Sequence, residues 1–252
     1  MTDEVSRRPR IERGPVGELT RFVRAALVIP VPRDHRTSDE AFRRRRVVVG
    51  VTLVIGAALL GWSLAITPGD PIFYLATVLL AVVWVAGAVL SGPLYRGRAN
   101  ARDGRQDALP IWQPLVLGVA ALLIFTLGAL IVIPIPFLRD SVNEVLDHAR
   151  FGSLPIVALV TMMNGVAEES FFRGALYSAI GVRRPVIIST VIYGLTTVVT
   201  LNIMLVFSAV VLGVLLGLQR RVTGGVLAPI ITHCVWSLGM LFVLPPLFQL
   251  FT

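Results

Sequence analysis

The chain has 252 residues, of which 55% are hydrophobic and only 15% are charged, and its formal net charge is +8. Its longest apolar runs reach the roughly 20 residues that an α-helix needs to cross a bilayer, which excludes an ordinary soluble domain. The runs lack the alternating hydrophobicity of barrel strands, and unpaired backbone groups cannot face lipid. The single cysteine excludes an internal disulfide. The composition therefore predicts an all-α, polytopic helical membrane protein.

Seven apolar runs follow one another along the chain, and an eighth half-span at the C-terminus is the alternative. They cover residues 47–66, 71–95, 110–138, 154–180, 185–200, 201–219 and 226–250. The adjacent Pro245 and Pro246 are expected to break or end the last helix. We divide the chain into a basic N-terminal segment (1–46, partly disordered or interfacial), three accessory transmembrane helices (47–138) and a set of core helices (154–250).

Basic residues predict the orientation of the spans. All 23 are arginine, and twelve of them precede residue 47. Further arginines follow the even-numbered spans, so the positive-inside rule places the N-terminus in the cytosol. The loop RDSVNEVLDHARFGS after the third span mixes acids with arginines and suits the outside. The arginines thus set topology and meet anionic lipid headgroups, and no nucleic-acid partner is expected. All-arginine usage and short loops favour a bacterial inner membrane.

The segment AEESFFRG, residues 167–174, places charged side chains inside the fourth span. A charge at a helix centre costs about 2.5 to 3.5 kcal/mol on insertion scales. Glu169 and Arg173 are four residues apart, so they share a helix face and are predicted to form an ion pair. Glu168 points about 100° away and has no such partner in its own helix. Embedded ionisable residues indicate a functional site, and the alternative is a polar cluster that serves helix packing.

Polar residues in two later spans lie at the same predicted depth as Glu168. Glu168 is fifteen residues from Arg183, Thr197 is thirteen from Arg184, and His233 is twelve from Arg221. At 1.5 Å per residue, all three are about 18 to 23 Å from the cytosolic arginines. One turn beyond His233, Ser237 shares its face. Glu168, Thr197 and His233 are therefore predicted to converge at one level, although a lone histidine in a helix more often serves packing.

The ordered set of polar residues resembles the CAAX protease and bacteriocin-processing family (CPBP, or Abi). These intramembrane endopeptidases include the eukaryotic type II CAAX prenyl endopeptidase. The family pattern is EExxxR, then an aromatic-xxx-His segment, then a GG…AP-xxx-HxxxN segment, in successive spans. The first motif is complete here as Glu168, Glu169 and Arg173. The resemblance covers about 154–240.

The other two motifs are present with one change each. The third is GGVLAPIITHCVWS, with His233 present and Ser237 where the family commonly has asparagine. The second is STVIYGLTT, with Tyr193 at the aromatic position and Thr197 in place of the histidine. A hydroxyl orients a water but does not share a proton as imidazole does, so a reduced or lost activity is expected.

The resemblance implies that a glutamate-activated water attacks a peptide bond inside the bilayer. Glu168 would be the general base, assisted in the family by the second-motif histidine. His233 and Ser237 would stabilise the oxyanion. Glu169 and Arg173 would hold the site in shape.

Two function classes stay open on the sequence alone. The first is an intramembrane endopeptidase that cuts a membrane-associated protein or peptide near the cytosolic half of the bilayer. The second is a non-catalytic membrane scaffold or immunity-type pseudoprotease, in which Thr197 records the loss of chemistry. A proton-coupled carrier is a more distant alternative, because no internal repeat is evident.

The family is often classed with metalloproteases, but the sequence gives a metal little support. It contains no HExxH motif, and Glu168, Glu169, His233 and Cys234 fall short of a convincing catalytic zinc set. Nothing marks Ser237 as a nucleophile, and a dyad of His233 with Cys234 is disfavoured because adjacent side chains on a helix diverge. We therefore expect no metal and no cofactor.

Overall fold

The computed structural model describes residues 14–33 and 35–251, so residues 1–13 and 34 of the predicted N-terminal segment lie outside it. Within the described residues there is no strand, and an isolated bridge joins Ala99 to Ala108. The all-α prediction is confirmed. The helices are α1 (Pro15–Val23, continued by a π-helical turn, Arg24–Val28), α2 (Asp39–Ala65), α3 (Ile72–Ser91), α4 (Trp112–Val132), α5 (Pro136–Arg150), α6 (Leu154–Glu169, continued by a π-helix, Ser170–Leu176), α7 (Tyr177–Ile180), α8 (Pro185–Val198), α9 (Ile203–Thr223) and α10 (Leu227–Gln249).

Five helices in the described part of the chain are long and apolar enough to cross a membrane: α2, α3, α4, α9 and α10. The number is six if α5 and the helical run Leu154–Ile180, which differ in direction by 116°, are counted as one broken span. The chain is a multi-pass membrane protein, with fewer full-length spans than the seven expected. The fifth apolar run forms only the 14-residue α8. Its length of about 21 Å is short of the roughly 30 Å hydrocarbon core.

The loop predicted after the third span is instead the helix α5. Its apolar residues recur every three or four positions, which gives one face that packs and one that carries charge. Val142 and Leu146 pack on α4 and α10, where Phe248 is fully buried. The same contact explains why Pro245 and Pro246 do not end α10, which continues to Gln249. Burial of Phe248 stabilises the turn that the prolines weaken.

The first spanning helix starts earlier than its apolar run. Ser38 caps α2 by accepting a hydrogen bond from the amide of Ala41 at 3.3 Å, and two acidic residues occupy the first turn. The arginines 43–46 are consequently helical. One of them, Arg45, is buried and donates to the carbonyl of Ser91 at the end of α3.

The helix termini form two ends of the bundle, which we name by their composition. The arginine-rich end contains the start of α2, the end of α3, the start of α8, the end of α9 and the start of α10. It is joined by hydrogen bonds such as Leu227 N to Arg96 O and Arg33 to Arg221 O. The opposite end contains the α2–α3 loop, α5 and the α8–α9 loop. Tyr74, at the start of α3, accepts a hydrogen bond there from the amide of Ser153.

Aromatic packing closes the centre of the bundle between α2, α3 and the π-helix. The ring of Trp84 lies 4.6 Å from that of Phe171 and 5.1 Å from that of Phe172, measured between centroids. On α2, Gly56 allows Trp84 to approach, because a Cβ built on Gly56 would lie 2.1 Å from the indole ring. Packing of this density leaves no room for a methyl group.

Replacing this glycine should therefore destabilise the bundle. Gly56→Ala is expected to lower the free energy of unfolding in detergent by about 1 to 3 kcal/mol, because the new methyl displaces Trp84. Gly50→Ala is the matched control on the same helix, since nothing lies within 4 Å of its Cβ position. This control should gain about 0.5 to 1 kcal/mol from helix propensity. Equal stability of the two variants would contradict close packing of Trp84 on Gly56.

Candidate active site

The charged motif lies at a change of helix type. Glu168 and Glu169 end α6, and the following residues Ser170–Leu176 are π-helical and all buried. Short π-helical segments within α-helices are frequent at functional sites, because they re-aim the side chains around them. Here the π-helix keeps the Arg173 guanidinium beside Glu169 while Glu168 faces a neighbouring helix.

Glu169, Arg173 and His233 form a buried charged cluster. Glu169 Oε2 lies 3.2 Å from Arg173 Nε, and Glu169 Oε1 lies 2.8 Å from His233 Nδ1. The predicted Glu169–Arg173 pair is confirmed as an ion-pair contact, although its geometry is not that of a hydrogen bond. The guanidinium also lies 4.7 Å from the centre of the Tyr193 ring, a cation–π contact. The fully buried Glu169 carboxylate thus joins α10 to the π-helix.

Glu168 finds its partner on α8. The hydroxyl of Tyr193 donates to Glu168 Oε2 at 2.7 Å. Tyr193 occupies the aromatic position of the second motif, and the motif by itself does not predict this contact. The sequence does contain a signal for this contact. Tyr193 lies one helical turn from Thr197, and so near the predicted depth of Glu168. The carboxylate lacking a partner in its own helix is therefore held from a second helix.

A cavity of about 220 Å³ adjoins Glu168. This volume holds several water molecules. Most of its walls are apolar, and they include the rings of Trp84, Phe172 and Trp236. The polar lining residues are Glu168, Tyr193, Thr197, Thr200, Ser208 and His233. The convergence predicted for Glu168, Thr197 and His233 is confirmed.

Two candidate residues are less well placed for chemistry. The Thr197 hydroxyl lines the cavity but donates to the carbonyl of Tyr193 in its own helix, at 2.9 Å. Ser237 is not among the residues that line the cavity, and its hydroxyl donates to the Cys234 carbonyl at 3.4 Å. The structure brings together five of the six candidates, either at the cavity or directly behind it, and leaves Ser237 outside.

The side chains at the site do not form a ligand set for a catalytic metal ion. Among the described residues, no three His, Cys, Asp or Glu side chains converge to hold an ion. The carboxylate of Glu169 is shared between Arg173 and His233, so these side chains are engaged with each other rather than arranged around a common centre. A zinc site requires three protein ligands aimed at one point.

The segment that carries these residues is similar to a known protein family. Residues 150–239 match the family model described as type II CAAX prenyl endopeptidase Rce1-like. The chain contains an Rce1-like domain. This domain begins at the end of α5 and includes every candidate residue, so the match confirms the CPBP resemblance over this segment. Neither the curated proteins nor the solved structures contain a match to the chain.

The buried cluster predicts that substitutions of the two glutamates differ in their effect on stability. Glu169→Ala should lower the free energy of unfolding by about 3 to 5 kcal/mol, because it leaves the Arg173 charge buried without compensation. Glu168→Ala should cost less, because Glu168 is only partly buried and faces the cavity. Chemical denaturation in detergent micelles measures both values.

A double variant separates the charge from the packing. Glu169→Gln with Arg173→Met removes both charges but retains an amide beside His233, and it should recover part of the loss. A Glu169→Ala variant as stable as Glu168→Ala would show that the cluster does not stabilise the domain.

Proposed function

We propose that this protein is an intramembrane endopeptidase of the CAAX-protease type in which Glu168 activates a water molecule. The supporting observation is that Glu168 and His233 face one cavity and that a separate partner fixes each of them. Tyr193 holds the first and Glu169 holds the second. The substrate is a membrane-associated protein or peptide in a bacterial inner membrane, where arginines contact anionic headgroups.

Glu168 acts as the general base in this mechanism. Its Oε2 accepts the Tyr193 hydroxyl, which leaves Oε1 to accept a proton from water. The water oxygen bonds to the carbonyl carbon of the substrate, and the carbonyl oxygen becomes an oxyanion. When this intermediate collapses, the C–N bond breaks and the leaving amine takes the proton back from Glu168.

His233 stabilises the oxyanion in the same mechanism. Because Nδ1 is paired with Glu169, its other ring nitrogen is the one free to act in the cavity. With a proton on both nitrogens, the imidazolium donates to Glu169 and to the oxyanion, and the Glu169 carboxylate stabilises its charge. Glu169 is therefore a positioning residue, and Arg173 balances its charge.

The Tyr193 hydroxyl takes over part of the role of the second-motif histidine, which Thr197 replaces in this chain. Thr197 is occupied by its own backbone and offers no base, whereas Tyr193 fixes the orientation of the Glu168 carboxylate. The alternative function, a pseudoprotease that acts as a scaffold, is favoured by the engagement of Thr197. The two functions differ in whether peptide bonds are cut.

Proteolysis in reconstituted membranes decides between these functions. Wild type, Glu168→Ala and Thr197→His are compared on a library of internally quenched, membrane-anchored peptides. We expect the wild type to cleave and Glu168→Ala to lose about 10² to 10⁴ in rate, the usual contribution of a general base. Cleavage by Thr197→His alone would identify a pseudoenzyme that keeps the rest of the site. Silence in all three, on peptides scissile at either membrane surface, would favour the scaffold.

Removing a single oxygen atom tests the Tyr193 contact. Tyr193→Phe keeps the ring against Phe172 and Arg173 but removes the donor to Glu168. We expect a loss of about 10- to 100-fold in kcat, because hydrogen bonds to charged groups contribute about 1.5 to 3 kcal/mol. Tyr74→Phe is the matched control, since the Tyr74 hydroxyl contacts the Ser153 amide at the opposite end. Equal kcat in wild type and Tyr193→Phe would exclude this role.

A further inference from the structure

We propose that substrate enters the cavity from the opposite end of the bundle, between α5 and the α8–α9 loop, and that the contact of Asn202 with α5 forms the gate. This inference rests on the proposed function only in taking the cavity as the active site. It differs from the expectation that cleavage occurs near the cytosolic half of the bilayer.

The arginine-rich end offers no entrance to the cavity. Trp84, Phe171 and Phe172 are at most 1% exposed and pack on one another in a layer of rings, and Phe171 and Phe172 follow Glu168 along the helical run that leads to that end. Behind this layer, Arg220 donates from Nε to the carbonyl of Arg173 at 2.6 Å and is itself buried. A peptide would have to displace three packed rings and a buried guanidinium to enter there.

The cavity instead extends towards the opposite end. Its walls use the last turns of α2 and α8 and the first turns of α9, all of which lead away from the arginines. A second cavity of about 30 Å³ continues in this direction and contains the exposed Glu144 in its lining. The two cavities share four lining residues, Leu64, Val145, Thr200 and Leu205.

Asn202 closes this passage by joining two elements. Its Nδ2 donates to the carbonyl of Ser141 at 2.6 Å and to Glu144 Oε2 at 3.0 Å, both on α5. Its Oδ1 accepts from the amides of Met204 and Leu205 and so caps α9. A single buried side chain therefore holds α5 against the start of α9, directly beside the second cavity. Breaking it frees one side of the passage without disturbing Glu168.

The position of the entrance specifies the class of substrate. The arginine distribution places the arginine-rich end in the cytosol, so the entrance faces the extracytoplasmic surface. The scissile segment would then belong to a membrane-anchored polypeptide exposed on that surface, rather than to a cytosolic C-terminal tail.

Sided labelling of a cavity cysteine tests this access without requiring proteolysis. Ser208→Cys is introduced with Cys234→Ala, and a membrane-impermeant maleimide is applied to right-side-out and inside-out vesicles. Two exposed positions define the sides in the same background: Thr37→Cys at the arginine-rich end and Thr67→Cys in the α2–α3 loop. We expect Ser208→Cys to be labelled from the side of Thr67→Cys. Labelling from the side of Thr37→Cys, or from neither side, would overturn the proposal.

The gate is tested by the rate of the same reaction. Asn202→Ala should accelerate labelling of Ser208→Cys several-fold, and the milder Glu144→Ala, which removes one bond, should have a smaller effect in the same direction. Asn143→Ala is the matched control on α5, because Asn143 contacts Arg150 and not Asn202. Unchanged rates in both folded gate variants would exclude the gate. Because labelling does not depend on catalysis, the access route and the peptidase activity fail or succeed separately.

Discussion

The structure of the site depends on the burial of one carboxylate, that of Glu169, inside an apolar helix bundle. A buried charge is tolerated only where opposite charges and hydrogen bonds compensate it. Arg173 and His233 supply that compensation from the π-helix and from α10. The contacts that compensate the buried charge therefore also hold the π-helix and α10 in a fixed arrangement. Stability and the orientation of His233 have a common cause.

Glu168 illustrates the opposite solution for a neighbouring carboxylate. It is adjacent to Glu169 in sequence, yet it faces a cavity and receives a single hydrogen bond from Tyr193. One carboxylate is thus fully enclosed, and the other lies beside the cavity with a hydrogen bond to only one of its oxygens. Both residues lie in the last turn of α6, where adjacent side chains diverge by about 100°, so the two carboxylates lie in different environments.

The two ends of the bundle are closed by different kinds of contact. Aromatic packing around Trp84 seals the arginine-rich end, whereas α5 covers the opposite end through an apolar face packed on α4 and α10 and through the hydrogen bonds of Asn202 at the start of α9. Large buried rings are costly to move, and a small set of polar contacts is easily exchanged for water. This contrast supports a gate at α5.

The sequence by itself determined the helical membrane class, the Glu169–Arg173 pair and the common depth of Glu168, Thr197 and His233. These follow from apolar run length, from i,i+4 spacing and from rise per residue, which are local properties of a chain in lipid. Tertiary structure alone decided that α5 packs on α4 and α10. It also decided that Tyr193 reaches Glu168 and that Ser237 lies outside the cavity. Those outcomes depend on how helices rotate against each other, which spacing within one helix does not specify.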